Sequence, residues 1–308
     1  MLHFGVHRFS RLWLRRLRAA ALACVAITGC ARLVGARGLS ASAPDGTTFH
    51  QVPIGRDERT FLLHRPPGTP AHPLPVLFVL HGTSANANLA MEESGMNAVA
   101  DSLGALVVYP NGTGGVPYIR LFWNTEHCCA GESRRGVDEI GMVRGILDSL
   151  ARHFPVDRSR VGLIGFSDAG TMAYLLACDA SETLTAIGVI SGELPESTCT
   201  PPAGVSTLVF HGTADRNIRY GRTAESVAEW AARERCAAPA VDTIPEVIRT
   251  TYSSCANTAN VELYTILGGR HAWPGGARSW FLAPRPSRTV DASRLFAAFV
   301  LNHPRATR

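Results

Sequence analysis

The chain has 308 residues, 46% hydrophobic and 18% charged, enough apolar material for a full core and unlike a disordered chain. Its formal charge of +5 is local: Arg8, Arg11, Arg15, Arg16 and Arg18 lie in the first 29 residues, which hold no acid, and the remainder carries 25 basic and 25 acidic residues. That balance gives no sign of a nucleic-acid partner, and the absence of lysine excludes Schiff-base chemistry and a P-loop lysine.

Residues 1–29 read as an export signal. A basic segment ends near Arg18, and the apolar run Ala19 to Ile27 that follows is too short to span a membrane. The run closes with Ile27-Thr28-Gly29-Cys30, which resembles a bacterial lipobox. The resemblance implies cleavage before Cys30, acylation of its sulfur and anchoring to a membrane; an ordinary secretory signal is the alternative. Residues 30–45 are small and polar, a flexible tether, and residues 46–308 are expected to form one catalytic domain.

Within that domain, Thr48 to Ile54 and Thr60 to His64 read as two strands joined by a turn at Gly55-Arg56-Asp57. Val76 to Leu80, between Pro75 and Gly82, suits a strand buried on both faces of a parallel sheet. Asn88 to Leu103 is helical in pattern, Ala105 to Tyr109 is a buried strand, and Pro110 to Trp123 is a Gly- and Pro-rich loop. A helix is expected from Asp138 to about Phe154, on apolar positions Ile140, Val143, Ile146, Leu147 and Leu150. Ala186 to Ile190, Thr207 to Phe210 and Val261 to Leu267 read as strands, and Gly221 to Arg235 and Ala292 to Leu301 as helices. Strands alternating with helices imply an α/β fold: a mostly parallel sheet with helices on both faces.

The stretch Val161 to Gly170 carries the chemistry. An apolar strand breaks at Gly165-Phe166-Ser167-Asp168-Ala169-Gly170 and runs on into a helical stretch from Thr171. A serine on a sharp strand-to-helix turn is the nucleophile elbow of α/β-hydrolases, whose pattern is G-x-S-x-G. Ala169 in the last position is a departure. Two further strands end in candidate partners, Asp215 in His211-Gly212-Thr213-Ala214-Asp215 and His271 in Gly269-Arg270-His271-Ala272-Trp273. The order Ser167, Asp215, His271 is that of α/β-hydrolases.

The roles follow from chemistry. A serine hydroxyl needs a base to take its proton, and an imidazole with an ordinary pKa of about 6.5 can accept and return it. Asp215 would fix the imidazole tautomer. Backbone N–H groups of Asp168 and Thr83 are the expected oxyanion donors. His81 and His211, each before a glycine at a strand end, read as supports of their turns. No cofactor and no metal is expected: neither C-x-x-C nor H-E-x-x-H occurs.

Besides Cys24 and Cys30 there are six cysteines, Cys128, Cys129, Cys178, Cys199, Cys236 and Cys255, an even number that suggests three disulfides in an exported protein. Cys236 and Cys255 flank one segment and are expected to pair. Adjacent Cys128 and Cys129 rarely bond each other, so their expected partners are Cys178 and Cys199, in either order.

Leu80-His81-Gly82-Thr83, Tyr109-Pro110-Asn111-Gly112, Trp123-Asn124 with Cys128-Cys129, Val137-Asp138-Glu139-Ile140, the elbow and the two partner segments together resemble the secreted polyhydroxybutyrate depolymerases and feruloyl esterases of the LpqC type. The resemblance runs from about residue 75 to 276 and implies a serine esterase acting through an acyl-enzyme without a cofactor. That family usually has Asn-Gly or Ala-Gly where Asp168-Ala169 stands, and Gly where Arg270 stands. An arginine beside the base would lower the pKa of His271 or select an acidic ester. Depolymerases of solid polyester commonly carry an added polymer-binding domain, and only 37 residues follow His271; soluble esters are therefore expected, namely feruloyl or acetyl esters or short hydroxyalkanoate oligomers. Trp123, Trp273 and Tyr118 are candidates for stacking on an aromatic acyl group or sugar. Polymer depolymerisation, a peptidase or lactone hydrolase on the same scaffold, and a non-catalytic ligand-binding surface lipoprotein are the alternatives.

Overall fold

The computed structural model describes residues 46–305 apart from 69–71, 126–135, 196–203 and 279–281. The export signal, Cys30, Cys128, Cys129 and Cys199 lie outside the described residues. Among the described residues ten strands form one sheet in the order β1-β2-β4-β3-β7-β8-β9-β12-β11-β10. The strands are β1 (Thr47–Ile54), β2 (Asp57–His64), β3 (Leu74–Leu80), β4 (Leu106–Pro110), β7 (Val156–Phe166), β8 (Ala186–Ile190), β9 (Ser206–Gly212), β10 (Ala240–Ile244), β11 (Val247–Tyr252) and β12 (Val261–Ile266). The six central strands from β4 to β12 run parallel. Antiparallel strands complete both edges.

Both faces of the sheet are covered. In β3, Val76, Phe78 and Leu80 point into one core and Leu77 and Val79 into the other, as the period-2 alternation of a strand requires. The first core packs α3 (Glu139–Ala151), α4 (Asp168–Asp179) and α5 (Tyr220–Arg233) through residues such as Ile146, Met172 and Trp230. The second packs α1 (Ala87–Ser94), α2 (Met96–Leu103) and α6 (Ala292–Asn302) through Ala90, Val99 and Phe296. This is the α/β-hydrolase fold, with strand ends and following loops gathered on one edge of the parallel sheet.

Several local outcomes differ from the sequence reading. The single helix expected from Asn88 to Leu103 is two, because Gly95 adopts φ 59° and its N–H closes α1 on the Met91 carbonyl; this left-handed cap ends one helix and re-aims the next. The Pro110–Trp123 loop contains a two-stranded ribbon, β5 (Thr113–Val116) and β6 (Arg120–Phe122). The β10–β11 hairpin was not expected. All five residues of β10 are exposed, so the strand has no buried face to leave an alternating pattern. Asp138 caps α3, its side chain accepting the Gly141 N–H at 2.6 Å.

The hairpin is tied back by the Cys236–Cys255 disulfide, and Cys178 is also disulfide-bonded. Cross-linking a loop of this length stabilises the fold by restricting the unfolded chain. Replacing both Cys236 and Cys255 by serine is expected to cost about 3 kcal/mol, measured as a lowered midpoint of urea unfolding.

Candidate active site

β7 ends at Phe166 and α4 begins at Asp168, leaving Ser167 alone on the turn with φ 59° and ψ −124°. A non-glycine residue in this region carries strain of about 1–3 kcal/mol. Close packing holds it: the Ser167 N–H donates to the Ile190 carbonyl at 2.8 Å, and the Gly170 N–H donates to the Ser167 carbonyl at 2.8 Å. A Cβ on Gly165 would overlap the Ala169 carbonyl, so only glycine lets the helix start this close to the strand. The departure at Ala169 is explained here. The close helix–strand approach falls one residue later, where Gly170 lies against Val189 and Gly192, and the Ala169 side chain is buried in the core.

The structure brings Ser167, His271 and Asp215 into one line. The Ser167 hydroxyl lies 3.0 Å from His271 Nε2, and His271 Nδ1 lies 2.8 Å from Asp215 Oδ2. With Nδ1 protonated toward the carboxylate, Nε2 is left to accept the serine proton. Asp215 Oδ1 accepts the backbone N–H groups of Asn217 and Ile218 at 2.8 and 3.1 Å. Burial pushes the Asp215 carboxyl up, but the His271 hydrogen bond and these two N–H groups outweigh it and hold it below the usual carboxylate range. The His271 ring lies against Phe166, centroids 4.8 Å apart, which fixes its plane.

His211 is buried, its Nε2–H donating to the Ile218 carbonyl at 3.0 Å. It thereby braces the loop that carries Asp215. Burial lowers its pKa.

The loop after β3 reaches the elbow at Gly82, which lies beside the Phe166 carbonyl and the Ser167 Cβ; Thr83 follows. His81 holds this loop. Its Nδ1–H donates to the Gly82 carbonyl at 2.8 Å, and its Nε2 accepts the Gly112 N–H at 3.0 Å. Full burial pushes its pKa down to about 4. The Asp168 N–H lies in the first turn of α4, where the helix dipole is positive. The Asp168 carboxylate is buried and accepts the Thr125 hydroxyl at 2.7 Å.

Trp123 corrects the expectation of a stacking surface. Its ring is fully buried, its indole N–H donates to the His81 carbonyl at 2.7 Å, and it lies 4.8 Å from the His81 ring. Trp123 is a tie for the His81 loop and offers no face to a ligand. Tyr118 packs edge-on against Phe49. Trp273 is also buried, donating to Ser293 Oγ at 2.9 Å, yet with Phe166, His271 and Leu282 it lines a cavity of about 240 Å³. Arg270 is exposed, on the wall of a larger neighbouring groove.

One supporting element joins two of the quoted segments through an arginine that the sequence did not single out. Arg59 and Glu139 form a buried ion pair at 2.7 Å, and Arg59 also donates to the Asn111 carbonyl at 3.2 Å. Asn111 accepts the Ala87 N–H at 2.9 Å and precedes Gly112. The chain of contacts therefore runs from α3 to the His81 loop.

Residues 59–208 match the sequence family described as esterase PHB depolymerase. Over those residues, just under half of the chain, it is similar to that esterase family, and the chain is a carboxylic ester hydrolase. NocK of Nocardia uniformis subsp. tsuyamanensis, assigned as an esterase, is 27% identical over 265 residues, 75% of each chain. Feruloyl esterase B of Piromyces equi is 25% identical over 67% of this chain, which spans 41% of that relative's length. The solved acetyl xylan esterase from Aspergillus awamori superposes with a TM-score of 0.59 at 16% identity, covering 73% of this chain and 94% of that one, and shares the fold.

The His81 geometry has a titration signature. The imidazole is expected to stay neutral, with Nδ1 protonated and Nε2 bare, in a ¹⁵N NMR spectrum at pH 5, where a free histidine is charged. The unfolded chain takes up this proton near 6.5 and the folded chain only near 4. The histidine's contribution to stability is thus complete above pH 6.5 and is lost as pH falls toward 4.

Proposed function

We propose that the chain is a secreted serine esterase that works through an acyl-enzyme and acts on soluble esters, among them feruloyl and acetyl esters and short hydroxyalkanoate oligomers. The observation that carries the reading is the hydrogen-bonded line Ser167–His271–Asp215 at the ends of β7, β9 and β12. In this reading Ser167 Oγ attacks the carbonyl carbon while His271 Nε2 takes its proton. The N–H groups of Asp168 and Thr83 receive the oxyanion, and their fixed positions stabilise charge that develops only in the transition state. His271 then protonates the leaving alkoxide, and a water activated by the same imidazole releases the acyl group. Asp215 keeps the tautomer and balances the imidazolium.

Soluble esters are favoured by the small cavity beside His271, with a volume of about 240 Å³. The names of the feruloyl esterase and acetyl xylan esterase relatives point the same way. Ser167→Ala is expected to lower kcat by at least about a thousandfold, and Asp215→Asn by about 10⁴-fold through the wrong tautomer. Both are measured on methyl ferulate and an acetylated sugar, with polyhydroxybutyrate film alongside. Full activity in Ser167→Ala would sink the serine mechanism. Clearing of the film would make polymer depolymerisation the leading reading.

The same proposal assigns residues 1–29 to an export signal, Cys30 to a lipid anchor, residues 30–45 to a tether and residues 46–308 to the catalytic domain. Mass spectrometry of the mature N-terminal peptide is expected to find an acylated Cys30; a mature chain that begins elsewhere overturns the anchor.

A further inference from the structure

The Asp215 carboxylate faces two imidazoles. Its Oδ1 accepts the N–H groups of Asn217 and Ile218. Its Oδ2 lies 2.8 Å from His271 Nδ1 and 3.5 Å from His211 Nε2. The side chains of His211 and Asp215 are both fully buried. His211 stands near the end of β9, opposite Thr265 of β12, and its Nε2–H donates to the Ile218 carbonyl at 3.0 Å. Ile218 thus gives its N–H to Asp215 and its carbonyl to His211, which closes the three residues into one ring of contacts.

The surroundings keep His211 uncharged. Its Nδ1 is buried and has no partner among the described residues, so a proton there would bury an N–H without an acceptor, which is unfavourable. Burial of the ring acts in the same direction. The charged and titratable groups that face it are Asp215, His271 and, from the segment after β8, Glu193, which pairs with Arg222 of α5 at 3.4 Å. Tyr220 approaches edge-on from α5 with its hydroxyl on Thr265. Arg270, beside His271, is exposed. A second imidazolium 3.5 Å from Oδ2 would compete for the carboxylate and repel the proton that His271 takes from Ser167. A neutral imidazole ties the Asp215 loop in place and leaves the carboxylate's charge to His271.

We propose that His211 is a positioning residue for the catalytic base: held neutral, it keeps Asp215 Oδ2 aligned on His271 Nδ1 and so sets the proton affinity of His271. The inference rests on the serine-esterase reading and adds a residue to its machinery. Removing His211 has two opposed effects. Loss of an N–H dipole 3.5 Å from Oδ2, too far for a strong hydrogen bond, would strengthen the hold on His271 slightly. Loss of alignment weakens a charge-assisted contact of the kind that shifts a pKa by about 1–3 units, and this effect is the larger.

The test is the pH profile of kcat/KM on the better of methyl ferulate and an acetylated sugar, because its acid limb reports the free base. His211→Leu is expected to move that limb down by about 0.5 pH unit or more and to lower kcat by about tenfold or more, with KM little changed. His211→Gln, whose amide can donate to the Ile218 carbonyl, is expected to restore both. A limb that stays or moves up in His211→Leu overturns the proposal, as does a His211→Gln chain impaired as much as His211→Leu. ¹⁵N NMR of the wild-type chain needs neither turnover nor a variant. His211 is expected to keep a bare Nδ1 and a protonated Nε2 throughout the range in which His271 titrates, and a charge gained by His211 in that range also overturns the proposal. The expected NMR titration in a wild-type chain that hydrolyses no ester would uphold the placement of His211 and refute the esterase reading.

Discussion

A serine held at φ 59° and ψ −124° between β7 and α4 is a strained point that the surrounding structure must over-determine. The parallel sheet does this from below, through the hydrogen bond from Ser167 to Ile190 on the neighbouring strand. The helix does it from the side, because Gly165 and Gly170 let its first turn approach both strands more closely than a Cβ would permit. The strain is therefore held by the packing of β7 and β8, whose apolar residues are buried in the middle of the sheet.

Around the elbow, loops are held by groups that take no part in bond making. His81 is kept neutral by burial and spends both ring nitrogens on backbone groups. Trp123 closes over it, and the Arg59–Glu139 pair anchors the adjoining Asn111 segment. A buried ion pair contributes little net stability against an apolar replacement, but removal of one partner leaves an uncompensated charge. Such a pair is suited to fixing geometry rather than to adding stability. The same logic applies to His211, which braces the loop presenting Asp215, while His271 and then the adjacent N–H groups hold the pKa of that carboxylate down against burial.

The two cavities beside the triad differ in lining. Phe166 and Trp273 give the inner cavity an apolar lining next to His271, and the outer groove is walled by arginines. Burial of Trp273 has a cost in hydrogen bonding that Ser293 offsets, and Ser293 in turn donates to the Ser94 carbonyl at 2.7 Å. The inner wall is thus rigid, whereas the arginine side chains lie on the exposed surface with long, adjustable stems.

By itself the sequence determined the alternation of strands and helices, since runs such as Val76 to Leu80 are apolar enough to be buried on both faces, and α3 shows its apolar stripe at the helical period. It also determined the strand ends on which Ser167, Asp215 and His271 lie, because glycines punctuate those ends, and it placed the Cys236–Cys255 pair. What leaves no local pattern was decided by the tertiary structure. The exposed strand β10 has no buried face and hence no alternation. Trp123 carries no mark that distinguishes a core ring from a binding surface, and long-range packing against His81 settled it. Arg270, Arg278, Arg285 and Arg288 lie in one stretch after β12, and only the folding of that stretch lines one groove with them. Local periodicity records burial, whereas the approach of Trp123 to His81 and of Ser167 to His271 depends on contacts between distant segments, which no single stretch of sequence encodes.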